Sequence, residues 1–200
     1  LYIQSSDARF NHILKRSFDI FFSAIIIFFI LSWLIPVIAI LIKLDSVGPV
    51  FFLQKRNKKN GKVFTCIKFR SMFVNNDADL VPAEENDERI TRTGRYLRKT
   101  HFDELPQFFN VLWGDMSVVG LRPHMISDNL RYEECVDHYA DRLNVRPGIT
   151  GLAQVMGYAG HVEDIDEIKS RVRMDNFYIR HWSLKLDAII LYTTIIKAIH

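Results

Sequence analysis

Two adjacent carboxylates, Asp103 and Glu104, follow the basic run Arg98-Lys99-Thr100-His101 and precede Leu105-Pro106-Gln107. Thr100 with an acid three residues on has the spacing of a helix start, and proline is tolerated in a helix only within its first turn. The spacing therefore predicts that both acids sit where backbone N–H groups are unpaired and the helix field is positive. That position keeps a carboxylate ionised and attracts phosphate. An ionised aspartate can attack phosphorus. Its neighbour can share a Mg²⁺ with it, because this cation takes one or two carboxylates and completes its shell with substrate phosphates and water. The same pair can equally serve as a dipole-compensating cap, so the surrounding chain has to decide.

Basic residues suited to phosphate lie nearby in the sequence. Arg89, Arg92, Arg95 and Arg98 recur at a spacing of three, which aligns them on one side of a helix running into the acidic pair, although Gly94 weakens that helix. Val118-Val119-Gly120-Leu121-Arg122-Pro123 reads as a strand entering a turn, with an arginine held by a proline. Asn144-Val145-Arg146-Pro147-Gly148-Ile149-Thr150-Gly151 repeats the arrangement. Such turns let backbone amides approach a phosphate while arginine makes a bidentate contact. Four arginines on a helix and a pair of Gly/Pro turns are also what an ordinary solvated surface carries.

The elements that must position these groups begin with a membrane segment. Ile20 to Ile42 holds no charged side chain and is long enough to cross a bilayer, and it lacks the cleavage site of a signal peptide. Lys15 and Arg16 precede it, while Lys43, Lys55, Arg56, Lys58 and Lys59 follow it, so both ends carry the charge of a cytoplasmic flank. A segment with two cytoplasmic ends has to turn back. Pro36 supplies a break opposite the carbonyl of Ser32, whose hydroxyl can satisfy groups freed there. A re-entrant helix and a Pro-kinked spanning helix both fit. Net charge is only +3, but Lys and Arg outnumber Asp and Glu by 11 to 3 over residues 1–71 and are outnumbered 15 to 20 beyond. The basic half holds the apolar run, which suits an anionic membrane surface better than nucleic acid. Cys66 and Cys135 have no disulfide or metal-ligand spacing and fit a reducing compartment.

Beyond the membrane run, Asn60-Gly61 predicts a hairpin turn between Val50 to Gln54 and Val63 to Phe69, with a tip that either touches headgroups or is solvated. Residues 75 to 88 contain six acids and Pro82 and read as a loop. Leu105 to Trp113 is aromatic-rich and fits either an interfacial or a core helix. Residues 161 to 180 read as a charged helix, and Leu186 to Ile199 as an interfacial or core helix with Trp182 and Tyr192 as boundary anchors.

Several stretches, in order, resemble one family. Lys15-Arg16-Ser17-Phe18-Asp19, Gly48-Pro49-Val50, Lys68-Phe69-Arg70-Ser71-Met72, Asp103-Glu104-Leu105-Pro106-Gln107, Gly114-Asp115-Met116-Ser117, Arg122-Pro123, Arg146-Pro147-Gly148-Ile149-Thr150-Gly151 and Trp182-Ser183 are similar to the bacterial sugar transferases. These are the monotopic phosphoglycosyl transferases, or undecaprenyl-phosphate sugar phosphotransferases. The resemblance implies transfer of a sugar-1-phosphate from a UDP-sugar to undecaprenyl phosphate, releasing UMP, at the cytoplasmic face of the bacterial inner membrane. It implies Asp103 as nucleophile, Glu104 as partner in Mg²⁺ binding or proton transfer, and Arg70, Arg95, Arg98, Arg122 and Arg146 as phosphate-holding candidates. It allows a homodimer. The chain departs from the family where Ser32-Trp33 replaces Ser-Pro, where Gly120-Leu121-Arg122-Pro123 replaces Gly-Pro-Arg-Pro, and over Gly157-Tyr158-Ala159-Gly160-His161.

The expected fold is α+β and mostly helical. Residues 1–11 are read as a linker from a preceding region, 12–45 as the re-entrant membrane helix, and 46–200 as a cytoplasmic catalytic domain with a small sheet and interfacial amphipathic helices. The rival reading from another class is a non-catalytic membrane-surface module that binds anionic lipid or nucleotide through the same arginines.

Overall fold

The apolar run folds as one long helix with an irregular middle. In the computed structural model, which describes residues 6–75, 87–158, 160 and 164–199, α1 (Ser6–Ile26) passes through a π-helical turn (Ile27–Leu31) into α2 (Ser32–Asp45). The first five residues of the expected linker, most of the expected loop over residues 75–88, and Ala159 and His161 lie outside the described residues. The chain stays helical through Ser32 and Pro36, and the irregular turn comes before Ser32 rather than at the proline. Ser32 Oγ donates to the Phe28 carbonyl at 2.5 Å and Trp33 Nε1 to the Phe29 carbonyl at 2.9 Å, so side chains partner the backbone where the ladder changes register. Among the described residues, Phe10–Asp45 is the stretch long and apolar enough to cross a membrane.

One stripe of this helix is buried along almost its whole length. Asp19, Ser23, Leu31, Leu34, Ile38 and Ile42 face the rest of the protein at spacings of three or four on either side of the π turn. Phe21, Phe28, Phe29, Trp33, Val37, Ile40, Leu41 and Leu44 stay exposed on the other side. A large apolar face left open on a protein of this size calls for a lipid or protein cover.

Both ends of the helix are held by the same domain. At its start, Lys15 Nζ lies 2.5 Å from Asp187 on α8 (Leu184–Ile199) and 2.9 Å from the Val119 carbonyl. Trp182, half-buried, completes this corner: it takes Lys15 over its ring, stacks on His12 and donates to Asp187. Arg16 donates to the Val111 and Leu112 carbonyls in the last turn of α4 (Gln107–Trp113). At the far end, Asp45 Oδ2 accepts from Thr93 N at 2.7 Å, and Arg70 donates to the Ser46 and Val47 carbonyls at 2.7 and 2.6 Å.

The predicted hairpin is present. β1 (Phe51–Asn57) pairs antiparallel with β2 (Val63–Phe69), from Phe51 opposite Phe69 to Asn57 opposite Val63, and Asn60 and Gly61 take the left-handed conformation that the turn requires. Within this hairpin Arg56 pairs with Gln54 and Lys58 lies 2.5 Å from Asp115, so neither is simply a solvated tip residue. The free edge of β2 is closed by a side chain. Asn110 on α4 accepts from Ile67 N at 3.0 Å and donates to the Thr65 carbonyl at 2.8 Å, as a neighbouring strand would.

A second sheet pairs β3 (Ser117–Val119) in parallel with β4 (Gly148–Thr150). The two Gly/Pro turns meet there back to back: a Cβ on Gly148 would come within 2.1 Å of Gly120 N. Gly120 N donates to the Thr150 carbonyl and Gly148 N to the Leu121 carbonyl, so these amides bind each other's strands and not a phosphate. α5 (Ile126–Cys135), a 3₁₀ segment (Tyr139–Asn144), α6 (Leu152–Val155) and α7 (Ile165–His181) complete the fold, which is mostly helical, as expected, with two small sheets in place of one. Phe108, Val111, Met116, Val118, Tyr178 and Ile190 make the main core with Leu31 of the long helix, while Trp113 is 66% exposed.

α3 (Arg92–Lys99) is capped by Thr91, whose side chain accepts from Gly94 N at 2.9 Å. The helix forms despite Gly94, and this glycine is what lets it approach the backbone that follows β2. A Cβ there would lie 1.8 Å from the Ser71 carbonyl. We expect Gly94→Ala to lower stability by about 1–3 kcal/mol through this clash. Chemical denaturation in detergent would measure it, and a change within about 0.5 kcal/mol would mean that α3 does not approach so closely.

Candidate active site

The acidic pair sits at a joint between helices. Thr100, expected to open a helix, instead closes α3 as its C-cap, and His101 turns the chain in the left-handed region (φ 56°). A single 3₁₀ turn, Phe102–Glu104, then carries both acids, and Pro106 caps the start of α4. The capping signal belonged to Thr91, nine positions earlier in the sequence. Both acids end up largely enclosed, with Asp103 only 8% exposed.

Two buried carboxylates side by side repel each other, and the fold answers with cations from separate elements. Lys68 on β2 reaches Glu104 Oε1 at 2.7 Å. Arg122, in the turn after β3, straddles the same carboxylate, Nη2 to Oε1 at 3.1 Å and Nη1 to Oε2 at 3.2 Å. Arg98 at the end of α3 donates to Ser71 Oγ at 3.0 Å and its charge favours ionised Asp103. Arg56 of β1 lies close enough to Arg122 and Glu104 to feel both charges.

These surroundings drive the two acids apart. Burial opposes ionisation of Glu104, but Arg122 and Lys68 together outweigh it and hold the carboxyl well below its ordinary range. Burial raises the Asp103 carboxyl, and the charge on Glu104 raises it further, against the pull of Lys68, Arg98 and Arg122. The surroundings thus favour the ionised form of Glu104 and make Asp103 the more basic of the two. Among the described residues, no side chain donates a hydrogen bond to the Asp103 carboxylate. Glu104 is a fixed, neutralised anion, and Asp103 is the more basic and less encumbered oxygen donor. Such a division suits a pair in which one member reacts and the other orders the cations around it.

The arginine candidates separate. Arg122 and Arg98 converge on the acids. Arg70 is buried and spends two guanidinium nitrogens on the carbonyls after the long helix, which makes it a brace for that helix. Arg95 is exposed on α3. Arg146 is exposed, donates to the Gly114 carbonyl at 3.1 Å and lies near Arg16 at the start of the long helix. Lys68 was missed although its motif had been noticed. Its signal was the period of two along β2, where Phe64, Cys66 and Lys68 share one face and the lysine extends a buried row.

For Mg²⁺ the donor set is small. Among the described residues no cluster of three or more His, Cys, Asp or Glu side chains could hold a metal. Asp103 has free oxygen capacity, whereas both Glu104 oxygens already face cations. The pair therefore fits a Mg²⁺ that takes most of its ligands from substrate phosphates and water. It does not fit an all-protein cage.

Replacing Lys68 with methionine removes one of the two cations on Glu104. Glu104 has its folded-state pKa below the ordinary value of about 4.3, so the stability it contributes is present above that pH and is lost as pH falls through the folded pKa. Lys68→Met should cost about 1–3 kcal/mol near neutral pH. That difference should shrink in acid and disappear once Glu104 is protonated, as denaturation across a pH series would show; a constant difference would contradict the pairing.

The chain is similar over most of its length to known sugar transferases. A family model described as bacterial sugar transferase matches residues 10–200. A UDP-glucose:undecaprenyl-phosphate glucose-1-phosphate transferase from Klebsiella pneumoniae is 46% identical over 188 residues, covering 94% of the chain and 40% of that protein. An exopolysaccharide production protein, PSS, from Rhizobium leguminosarum bv. phaseoli is 42% identical over 190 residues, covering 92% of the chain and 94% of that protein. A UDP-N-acetylgalactosamine-undecaprenyl-phosphate N-acetylgalactosaminephosphotransferase from Aeromonas hydrophila is 43% identical over 183 residues, 91% of the chain and 43% of that protein. The chain thus spans less than half the length of the first and third of these relatives.

Proposed function

Since the chain belongs to the bacterial sugar transferase family, we propose that it transfers a sugar-1-phosphate from a UDP-sugar to undecaprenyl phosphate, the first step of building a surface polysaccharide on a lipid carrier. The observation that carries this reading is the buried acid pair, its two carboxyls shifted in opposite directions, ringed by Lys68, Arg98 and Arg122. A surface module that merely binds anions has no use for two buried carboxylates among its arginines, which would repel the ligand.

In this reading an Asp103 carboxylate oxygen attacks the sugar-bearing phosphorus of the nucleotide sugar. A new O–P bond forms as the P–O bond to UMP breaks, and UMP leaves with that oxygen's electron pair. A phosphate oxygen of undecaprenyl phosphate then attacks the same phosphorus, and the aspartyl bond breaks to regenerate Asp103. Such transfers need positioning and charge neutralisation more than elaborate covalent machinery. Arg122 and Arg98 orient the phosphates, and Lys68 with Arg122 keeps Glu104 from competing for the proton state of its neighbour. A Mg²⁺ held beside Asp103, mostly by substrate phosphates and water, would spread the negative charge of the diphosphate.

We further propose that the long helix enters the membrane and returns to the cytoplasmic face of the inner membrane. Support comes from the docking of both its ends on one domain and from the buried stripe between them. A soluble donor and a lipid acceptor would then meet on one side.

Intact-protein mass measurement after incubation with Mg²⁺ and a panel of UDP-sugars, without lipid, should show a gain of one sugar-phosphate. The panel includes the UDP-glucose and UDP-N-acetylgalactosamine for which the relatives are named. Asp103→Asn should show no gain. An Asp103→Asn protein with full turnover would overturn the nucleophile. For the topology, cysteines at Phe10 and Val47 in a Cys135→Ser background should both react with an impermeant maleimide from the cytoplasmic side only. Labelling of one of them from the opposite side would mean that the helix spans.

A further inference from the structure

The turn that carries Arg122 is gripped from behind by a residue the proposed chemistry never touches. Arg142, in the 3₁₀ segment, is buried, and every guanidinium nitrogen is engaged. Nε donates to Asp175 Oδ2 on α7 at 2.9 Å, and Nη2 donates to the Arg122 carbonyl at 2.8 Å. Nη1 lies 2.7 Å from His124 Nδ1 and 3.1 Å from the Tyr139 hydroxyl. The segment Arg122-Pro123-His124 is therefore held at both ends by one planar group, while the Arg122 side chain reaches the other way to Glu104. The Tyr139 hydroxyl donates to Asn129, and Asn129 donates to Asn57 at the end of β1, so the grip is fixed on a second side.

A buried arginine has to be paired, and Asp175, itself 2% exposed, would meet that need alone. The remaining donors go to a backbone carbonyl and an imidazole two residues apart, which only a rigid fork can reach together. We propose that Arg142 is a positioning residue for the transfer: anchored to α7 through Asp175, it fixes the direction in which Arg122 presents its guanidinium to Glu104 and to a substrate phosphate. The proposal rests on the function argued above for its catalytic consequence, but not for the grip itself.

Two measurements on the full chain in detergent test it. The first is hydrogen exchange over residues 120–125 in the wild type, Arg142→Lys and Arg142→Met. Lysine keeps a charge opposite Asp175 yet cannot hold the carbonyl and the imidazole at once. Exchange in this segment should quicken by on the order of tenfold or more in both variants. Unchanged exchange would overturn the proposal whatever the enzyme does.

The second is UMP release with the active UDP-sugar and undecaprenyl phosphate. Arg142→Lys should recover thermal stability relative to Arg142→Met yet remain about 10²-fold slower than the wild type. In an Arg122→Ala background it should cost nothing further, because the effect runs through the Arg122 side chain. Recovery of turnover together with stability, or losses that simply multiply, would overturn the positioning role. A wild type that releases no UMP would count against the function alone, and the exchange result would still decide the role of Arg142.

Discussion

Burying two neighbouring carboxylates is the constraint on which the rest of this structure turns. Neither acid tolerates a dry site with the other beside it unless positive charge arrives from elsewhere, and the chain supplies it from places far apart in sequence. Lys68 comes from a strand, Arg98 from the end of a helix, and Arg122 from the turn after a parallel pair. Each of those elements is in turn held by a close approach: Gly94 against the Ser71 carbonyl for α3, and Gly148 against Gly120 for the turn bearing Arg122. The small residues let backbones touch so that long cationic side chains can converge. The electrostatics of the site is thus a packing result.

The long helix answers a different demand with the same economy of contacts. Its start is held by two cations, Lys15 on a carboxylate and Arg16 on the last carbonyls of α4; its end is held by an acid and an arginine, Asp45 and Arg70. Between them the π turn adds a residue to the ladder, which rotates everything after it by about 100° relative to an unbroken α-helix. That rotation is what brings Leu34, Ile38 and Ile42 to the same side as Asp19 and Ser23.

Much of this was legible in the sequence, for reasons that differ from element to element. The apolar run and its basic flanks announced themselves because hydropathy and charge are local properties. The hairpin was legible because Asn60-Gly61 has few other uses. The acid pair was visible as chemistry, but its local structure was misread: Thr100 and Asp103 have the spacing of a cap, whereas Thr91 has the geometry of one. The glycines around Arg122 and Arg146 looked like phosphate cradles and turned out to join two strands, a pairing between residues about thirty apart that no local pattern carries. Arg70 was grouped with the site because its motif was familiar, while Lys68, two residues before it, carried the contact. An arginine's type says what it can bind; only the fold says which partner it meets first.

Asn110 bears on something apart from chemistry. A two-stranded sheet normally leaves an edge that can recruit a strand from a neighbouring chain, a hazard for proteins concentrated at a surface. Here one amide fills the middle of that edge, supplying the acceptor for Ile67 and the donor for Thr65 that an intruding chain would have supplied. On the opposite side of the hairpin, Arg56 already bridges to Met125. The middle of the β2 edge and the Arg56 end of the β1 edge are therefore occupied, which leaves a protein that carries a wide apolar face less open strand through which copies could join edge to edge.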